Sequence, residues 1–396
     1  MRVLFFSSMT VSPGSGGGNT VFNLLEPPPS GSEVLYAAPG DHPLHWAPFP
    51  ELAGRMRPFA VPKWCSLPGG NRLALLRVAN RCGKRLHLRW ARHAVVNQLQ
   101  QVVNACEIQQ LLLCPQSILD LTASLALLRK TSLPAVAWFM DDYFRSRSDS
   151  RTAGELWAHA SRRFVISEAM QERFTQLYGG ECEVLNNSVS VPGSNPARPH
   201  GLPLRIAYAG AAHSYYRDTL LMVLREFAGL DGQVELDLYT HEELPPALTG
   251  KDCLPCHRRL PLPSAKLIER LWEYDVLLLL SSFRPEHRSI AETSLASKIA
   301  DYLASGCCIL AFGPPYAENI RYAQRHGFAE VVATHQRLRP TLLRLLHDSG
   351  RRLDLGARAY EFALARHDRR RNAPRLWRAL FEANAAGRTN NFAAAA

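Results

Sequence analysis

The stretch "SLASKIADYLASGCCILAFGP" (residues 294–314) decides the fold. Ile299, Ala300, Leu303 and Ala304 recur at helical spacing, Gly306 falls where a helix ends, and "CCILAFG" is an unbroken apolar run closed by Gly313-Pro314. A run without alternation is what a strand buried on both faces of a parallel sheet requires. The same phrase, a short apolar run joined to a helical stretch, recurs along the chain. Strands are expected at 2–6, 33–38, 110–114, 135–140, 163–167 and 182–186, and again at 204–210, 234–240, 275–282, 307–313 and 329–333. Helical segments are expected from about 336 to 385.

Between the two sets lies "VPGSNPARPHGLP" (191–203), whose Pro, Gly, Ser and Asn density marks a linker. With 396 residues, two cores are expected rather than one. The predicted class is α/β, with two Rossmann-like doubly wound domains facing a cleft. The expected boundaries are 1–192, a linker at 193–203, a second domain at 204–368, a helix at 369–386 crossing back to the first domain, and a disordered tail at 387–396. Ligands on such sheets bind outside the carboxyl ends of the strands.

Composition narrows the partners. There are 46 Lys and Arg against 35 Asp and Glu, a net charge of +11, which favours phosphates, nucleic acid or an acidic membrane surface. The longest apolar run, "VLLLLSSF", is shorter than the ~18 to 20 residues of a spanning helix. The amino terminus lacks a secretory pattern, and a cytoplasmic chain is expected, free or peripheral on the inner face of the plasma membrane. Nine Cys at irregular spacing do not form a disulfide framework. "CLPCH" (253–257) matches a haem-attachment pattern but stands in a chain without an export signal, and no second ligand pair supports zinc.

Several motifs carry candidate chemistry. Gly16, Gly17 and Gly18 stand where the first strand hands over to a helix, a place where backbone amides can approach an anion. In "YAGAAHSYYRDTLL", Gly210 ends a strand and Arg217 heads the next helix, a cation in reach of a phosphate or simply solvated. "WFMDDYF" puts Asp141 and Asp142 after a strand, without the Asp-x-Asp spacing of a metal site. Either carboxylate could accept a proton or bind a sugar; a helix cap is the structural alternative.

Residues 52–106 hold no acid, and on a helical wheel Arg77, Arg81, Lys84, Arg85, Arg89 and Arg92 share one face of 71–93, with Leu75, Leu76, Cys82, Leu86 and Trp90 on the other. Three accounts are open: a helix lying on an anionic membrane, a surface helix with its apolar side on the first core, or a phosphate-binding face for nucleic acid.

"ASKIADYLASGCCI" resembles the nucleotide-sugar segment of retaining glycosyltransferases of the GT-B fold, glycosyltransferase family 4 in particular. The resemblance implies that Asp301 stands for the second Glu of the family's Glu-x7-Glu pattern and contacts ribose, with Thr293 at the first Glu. It implies that backbone amides of Ser294, Leu295 and Ala296 reach the diphosphate or sugar, and that Lys298 meets phosphate. The family's Gly-Arg…Lys-Gly element places Gly210 at its Gly, Ala211 at its Arg and Arg217 at its Lys, with His213 a substitute cation. "FVISEAMQERFTQLYGGECEVLNNSVSVP" (164–192) is similar to the segment closing the first domain in these enzymes.

The implied activity is metal-independent transfer, with retention, of a sugar from a nucleotide-diphosphate donor held on the second domain to an acceptor held on the first. The acceptor would be a lipid-linked or surface glycan, and no cofactor is expected beyond the donor. On this reading catalysis rests on Asp141, Asp142, Arg217 and Lys298. The alternatives are a nucleic-acid-modifying transferase of the same fold, a non-catalytic relative, or a nucleotide-sugar epimerase.

Overall fold

The computed structural model describes residues 1–41, 47–63, 74–144, 146–195, 201–212, 214–230, 232–244 and 256–395. Its chain builds two parallel sheets. The first holds β1 (Arg2–Phe6), β2 (Glu33–Pro39), β3 (Met56–Phe59), β4 (Gln110–Leu113), β5 (Ala135–Phe139), β6 (Arg162–Val165) and β7 (Glu183–Val184), in the order β3-β2-β1-β4-β5-β6-β7. The second holds β8 (Leu204–Ala209), β9 (Val234–Tyr239), β10 (Cys256–Arg259), β11 (Val276–Leu280), β12 (Cys308–Phe312) and β13 (Glu330–Val332), in the order β10-β9-β8-β11-β12-β13. Each order reverses direction once, between β1 and β4 and between β8 and β11, the crevice where doubly wound sheets bind ligands.

Parity along the strands explains their unbroken apolar runs. In β11, Leu277 and Leu279 join one core while Val276, Leu278 and Leu280 join the core on the opposite face. In β12 the split is Ile309 and Ala311 against Cys308, Leu310 and Phe312. Both faces are roofed by helices, so no position on these strands is left for a polar side chain. Gly306 closes the preceding helix, Ile299–Ser305, in the left-handed conformation at φ 62°, where a Cβ would be strained and would also meet the Asn195 side chain.

Two strands were not expected. β3 is four residues at the sheet edge, and β10 reads "CHRR", with its last three residues exposed at the other sheet's edge. Edge strands carry little of the apolar burial that makes a strand readable.

The chain returns to its first half near the end. Val189 and Asp368 form a parallel bridge, and His367 is wholly buried at the crossing. Its Nδ1 donates to the Asn187 carbonyl (2.7 Å) and its Nε2 accepts from the Tyr322 hydroxyl (3.0 Å). The helix Arg369–Ala395 then places Leu376, Trp377, Leu380 and Ala383 in the core of the first sheet.

The long helix Ala74–Ala105 corrects one expectation. Two residues of its apolar wheel side, Leu86 and Trp90, do not pack on the first core. Ala91, Val95, Val96, Leu99 and Val103 do, and the phase they set turns Leu86 and Trp90 outward, 65% and 60% exposed.

Candidate functional site

A cavity of about 420 Å³ opens at the carboxyl ends of β8 and β9 and is shared by both domains. The second domain lines it with Gly210, Ala211, Tyr216, Glu242, Ser264, Lys298 and Asp301, and the first with Gly14, Ser15, Gly16 and Asn19.

The first-domain wall is the amino terminus of the helix Gly16–Leu25, where the Ser15 hydroxyl accepts from the Gly18 amide (3.0 Å). The three glycines have separate reasons. A Cβ at Gly16 would overlap the Ser297 side chain across the cleft, one at Gly17 the Met9 thioether, and one at Gly18 the Thr10 carbonyl. Gly16 alone of the three lines the cavity. The other two let the helix pack against its own strand-end loop.

Lys298 is the cation of the site. Its Nζ lies 3.8 Å from the Tyr208 ring centroid and 4.4 Å from that of Tyr216, has no hydrogen-bond acceptor among the described residues, and is shut off from solvent. Burial without an anionic partner pushes its pKa down to about 7. Gly210, at φ 141°, makes room for it: a Cβ there would come within 2.6 Å of Nζ. Tyr208 is held by donating its hydroxyl proton to the Ala211 carbonyl (2.7 Å).

Asp301 lies one helical turn further on. Its carboxylate accepts from the Ser264 hydroxyl, and burial pushes its pKa up to about 7. The cavity therefore holds a cation and an acid, each desolvated and each short of ligands, on one wall.

Asp141 stands at the carboxyl end of β5 and reaches across the cleft. The Ser294 hydroxyl donates to its Oδ1 (2.8 Å), Tyr143 adds a second hydrogen bond, and burial pushes its pKa up to about 6. Asp142 turns the other way: it is 2% exposed and takes an ion pair from Arg173 Nε at 2.6 Å. Adjacent residues on an extended chain point to opposite sides, so only Asp141 faces the cleft. Among the described residues no group of three His, Cys, Asp or Glu side chains gathers as a metal site.

Other expected positions fall into place unequally. Thr293 is buried, and its carbonyl accepts from the Ser167 hydroxyl (2.5 Å). The Ser294 amide donates to the Ile290 carbonyl and the Ala296 amide to Asn319 Oδ1 (both 2.9 Å), so neither is free to bind an anion. The Leu295 and Ala296 carbonyls accept from Asn187 Nδ2, tying this loop to the first domain. Arg217 is exposed and does not line the cavity; the helix Ser214–Glu226 turns Tyr216 toward it instead. His213 and Cys253 lie outside the described residues.

Sequence reasoning missed Tyr216, Ser264, Ser297 and Glu242. Tyr216 precedes Arg217 in a helix whose phase the sequence leaves open, and Ser264 opens the helix Ser264–Leu271, 37 residues away from its partner. For Glu242, which accepts from the Ala212 amide (2.9 Å), the acidic pair following β9 was a usable signal.

No protein-family model and no curated protein sequence matches the chain. Solved structures do match in fold. The Anabaena protein Alr3699/HepE, in complex with UDP-glucose, superposes with a TM-score of 0.68 at 15% identity, covering 96% of this chain and all (100%) of that one. Sucrose-phosphate synthase from Thermosynechococcus elongatus gives 0.67 at 12% identity over 97% and 100%. The lipopolysaccharide outer core galactosyltransferase WaaB, in its apo form, gives 0.58 at 12% over 97% and 99%. Two doubly wound sheets facing a shared cleft, together with these likenesses over nearly the whole chain, define the fold as GT-B.

Proposed function

We propose that the protein is a glycosyltransferase that moves a sugar from a nucleotide-diphosphate donor to an acceptor hydroxyl. The observation that carries the reading is Lys298, a buried ammonium without an acceptor, placed in a cleft cavity beside Asp301. A diphosphate supplies the anion Lys298 lacks, and ribose hydroxyls supply the donors Asp301 lacks. Support also comes from the Anabaena relative in fold, whose structures hold UDP-glucose, UDP, and UDP with glucose.

In this reading the donor's nucleotide lies along β8 and β9, with ribose at Asp301 and diphosphate between Lys298 and the amino terminus of the helix Gly16–Leu25. Negative charge builds on the departing diphosphate in the transition state, and a preplaced cation and helix terminus stabilise it without reorganising. Arg217, exposed beyond Tyr216, has no part in that contact. Asp141 faces the acceptor side and takes the hydroxyl proton, and the closed cleft keeps water from the activated sugar. Retention of configuration, a family 4 relationship, a lipid-linked or surface-glycan acceptor and a reaction needing no metal or further cofactor complete the proposal, on the strength of the motif resemblance.

The test is a thermal-shift panel of UDP, GDP, CDP, ADP and dTDP and their sugars, with and without Mg²⁺, on the wild type and Asp301→Ala. A ligand bound only by the folded state raises the melting temperature. A metal-independent rise with one base, lost in Asp301→Ala and followed by donor turnover on adding acceptor glycans, is expected. A rise without turnover identifies a non-catalytic binder, and no rise with any donor removes the reading.

A further inference from the structure

We infer that the outward face of residues 83–93, beyond the carboxyl edge of the first sheet, docks on an anionic lipid bilayer. The position of this face follows from the loop after β3. Ala60 and Gln98 exchange hydrogen bonds (2.9 and 3.2 Å), and two residues on the Pro62 carbonyl pairs with His87 Nε2 (3.0 Å). The chain leaving the carboxyl end of β3 thus runs toward the amino end of the helix. Residues 83–90, in which no side chain is buried, stand beyond the carboxyl edge of the sheet. At 1.5 Å per residue the helix from Ala74 to Trp90 measures about 25 Å.

What this overhang presents is specific. Leu86 and Trp90, one turn apart, are exposed, and Lys84, Arg85, Arg89 and His93 are exposed around them. Arg92 continues the cationic surface into a groove with Arg129 and Lys130, where Glu155 is the acid present, paired with Arg129. Lys63, on the adjoining loop, pairs with Asp41. No acid occurs from residue 52 to 106. Trp and Leu ringed by Arg and Lys is the composition of an interfacial helix: the apolar tips enter the headgroup boundary while the cations meet lipid phosphate.

Charge complementarity chooses this occupant. A second copy of the chain would bring like charges together across a two-fold interface. A nucleic-acid backbone would satisfy the cations and leave Leu86 and Trp90 in water. Among the described residues no helix is long and apolar enough to cross a membrane, so the contact is with the surface. The inference stands apart from the transferase reading, because vesicle binding needs no donor.

The experiment is co-sedimentation of the full chain with vesicles of phosphatidylcholine containing 30% phosphatidylglycerol, and with pure phosphatidylcholine, in ~0.1 and ~0.5 M NaCl. Binding to the anionic vesicles alone, weakened by salt, is expected. Leu86→Ser with Trp90→Ser should lower partitioning at least tenfold, and Arg85→Glu with Arg89→Glu by at least about fivefold per charge, with unchanged melting temperature. Equal binding to neutral vesicles, binding untouched by the Leu86 and Trp90 changes, or no binding overturns the inference. So does a dimer in sedimentation velocity that the same changes dissolve. Salt-dependent DNA binding without vesicle binding overturns it in favour of nucleic acid.

Discussion

Lys298 Nζ rests 3.8 Å from the centroid of the Tyr208 ring, where no carboxylate, carbonyl or hydroxyl among the described residues accepts from it. The ring face offsets part of the cost of burying the charge, and the rest appears as a pKa of about 7. A bound diphosphate must raise that value, so binding takes up a proton near pH 7 to 8. Affinity should fall as pH rises above 7. Calorimetry in buffers of different ionisation enthalpy measures the uptake. Lys298→Met should abolish both the uptake and the pH dependence, and lower kcat by about 10²–10³, the range for losing one preorganised donor to a developing anion.

Asp301 has the opposite sign. Its folded pKa, about 7, lies above the model-peptide value of 3.8, so the folded state holds the proton more tightly and loses stability as pH rises from about 4 to about 7. Asp301→Asn removes that loss. Without ligand the variant should melt higher than the wild type at pH 8, with the difference shrinking toward pH 4. It should bind nucleoside diphosphate about tenfold more weakly and inorganic pyrophosphate equally well, which separates a ribose contact from a phosphate contact. A variant that melts no higher at pH 8 contradicts the buried-acid assignment.

The frame was legible because burial on two faces writes itself as uninterrupted apolar runs: β8, β9, β11 and β12 each match an expected strand to within two residues at either end. β10 left no such trace, since three of its four residues are exposed. Position along the chain was readable at the site, while direction was not. Asp301, Lys298 and Gly210 stand together in the cavity because motif spacing places a residue on an element. Tyr216 rather than Arg217 faces inward because helix phase is decided by what packs beneath it. Leu86 and Trp90 show the same limit: Ala91, Val95, Val96, Leu99 and Val103 choose the buried side, and a wheel drawn on 71–93 contains only the first of them.

Asp141 and Asp142 should separate cleanly on substitution. Asp141 must be ionised to accept a proton, so the transfer rate should rise with pH through about 6. Asp141→Asn should lower kcat by about 10²–10⁴ without lowering the melting temperature, since it too removes a buried acid whose pKa is raised. Asp142→Asn strips Arg173 of its buried partner and should lower the melting temperature with less effect on kcat. The reverse pattern would exchange their roles.

Gly16 faces the Ser297 side chain across the cleft, and its test is a rescue. Gly16→Ala sets a methyl group against the Ser297 side chain and should hold the cleft open, weakening donor binding and lowering turnover. Ser297→Gly in the same chain removes the obstructing atoms and should restore both. Failure of the second change to restore binding would mean that Gly16 matters through the helix terminus and not through closure.

His367 makes the crossing between domains sensitive to acid. With Nδ1 donating to Asn187 and Nε2 accepting from Tyr322, the ring is satisfied only when neutral, and burial pushes its pKa down to about 4 from an ordinary 6.5. The unfolded chain then binds the proton first, so this group's contribution to stability is complete above about pH 6.5 and is lost progressively as pH falls to about 4. His367→Phe keeps a ring but can make neither hydrogen bond and should be less stable at pH 7, but its deficit relative to the wild type should narrow steadily between pH 6.5 and 4. Denaturant unfolding of both proteins across that window measures the deficit, and a constant value would show that the ring is protonated in the folded state.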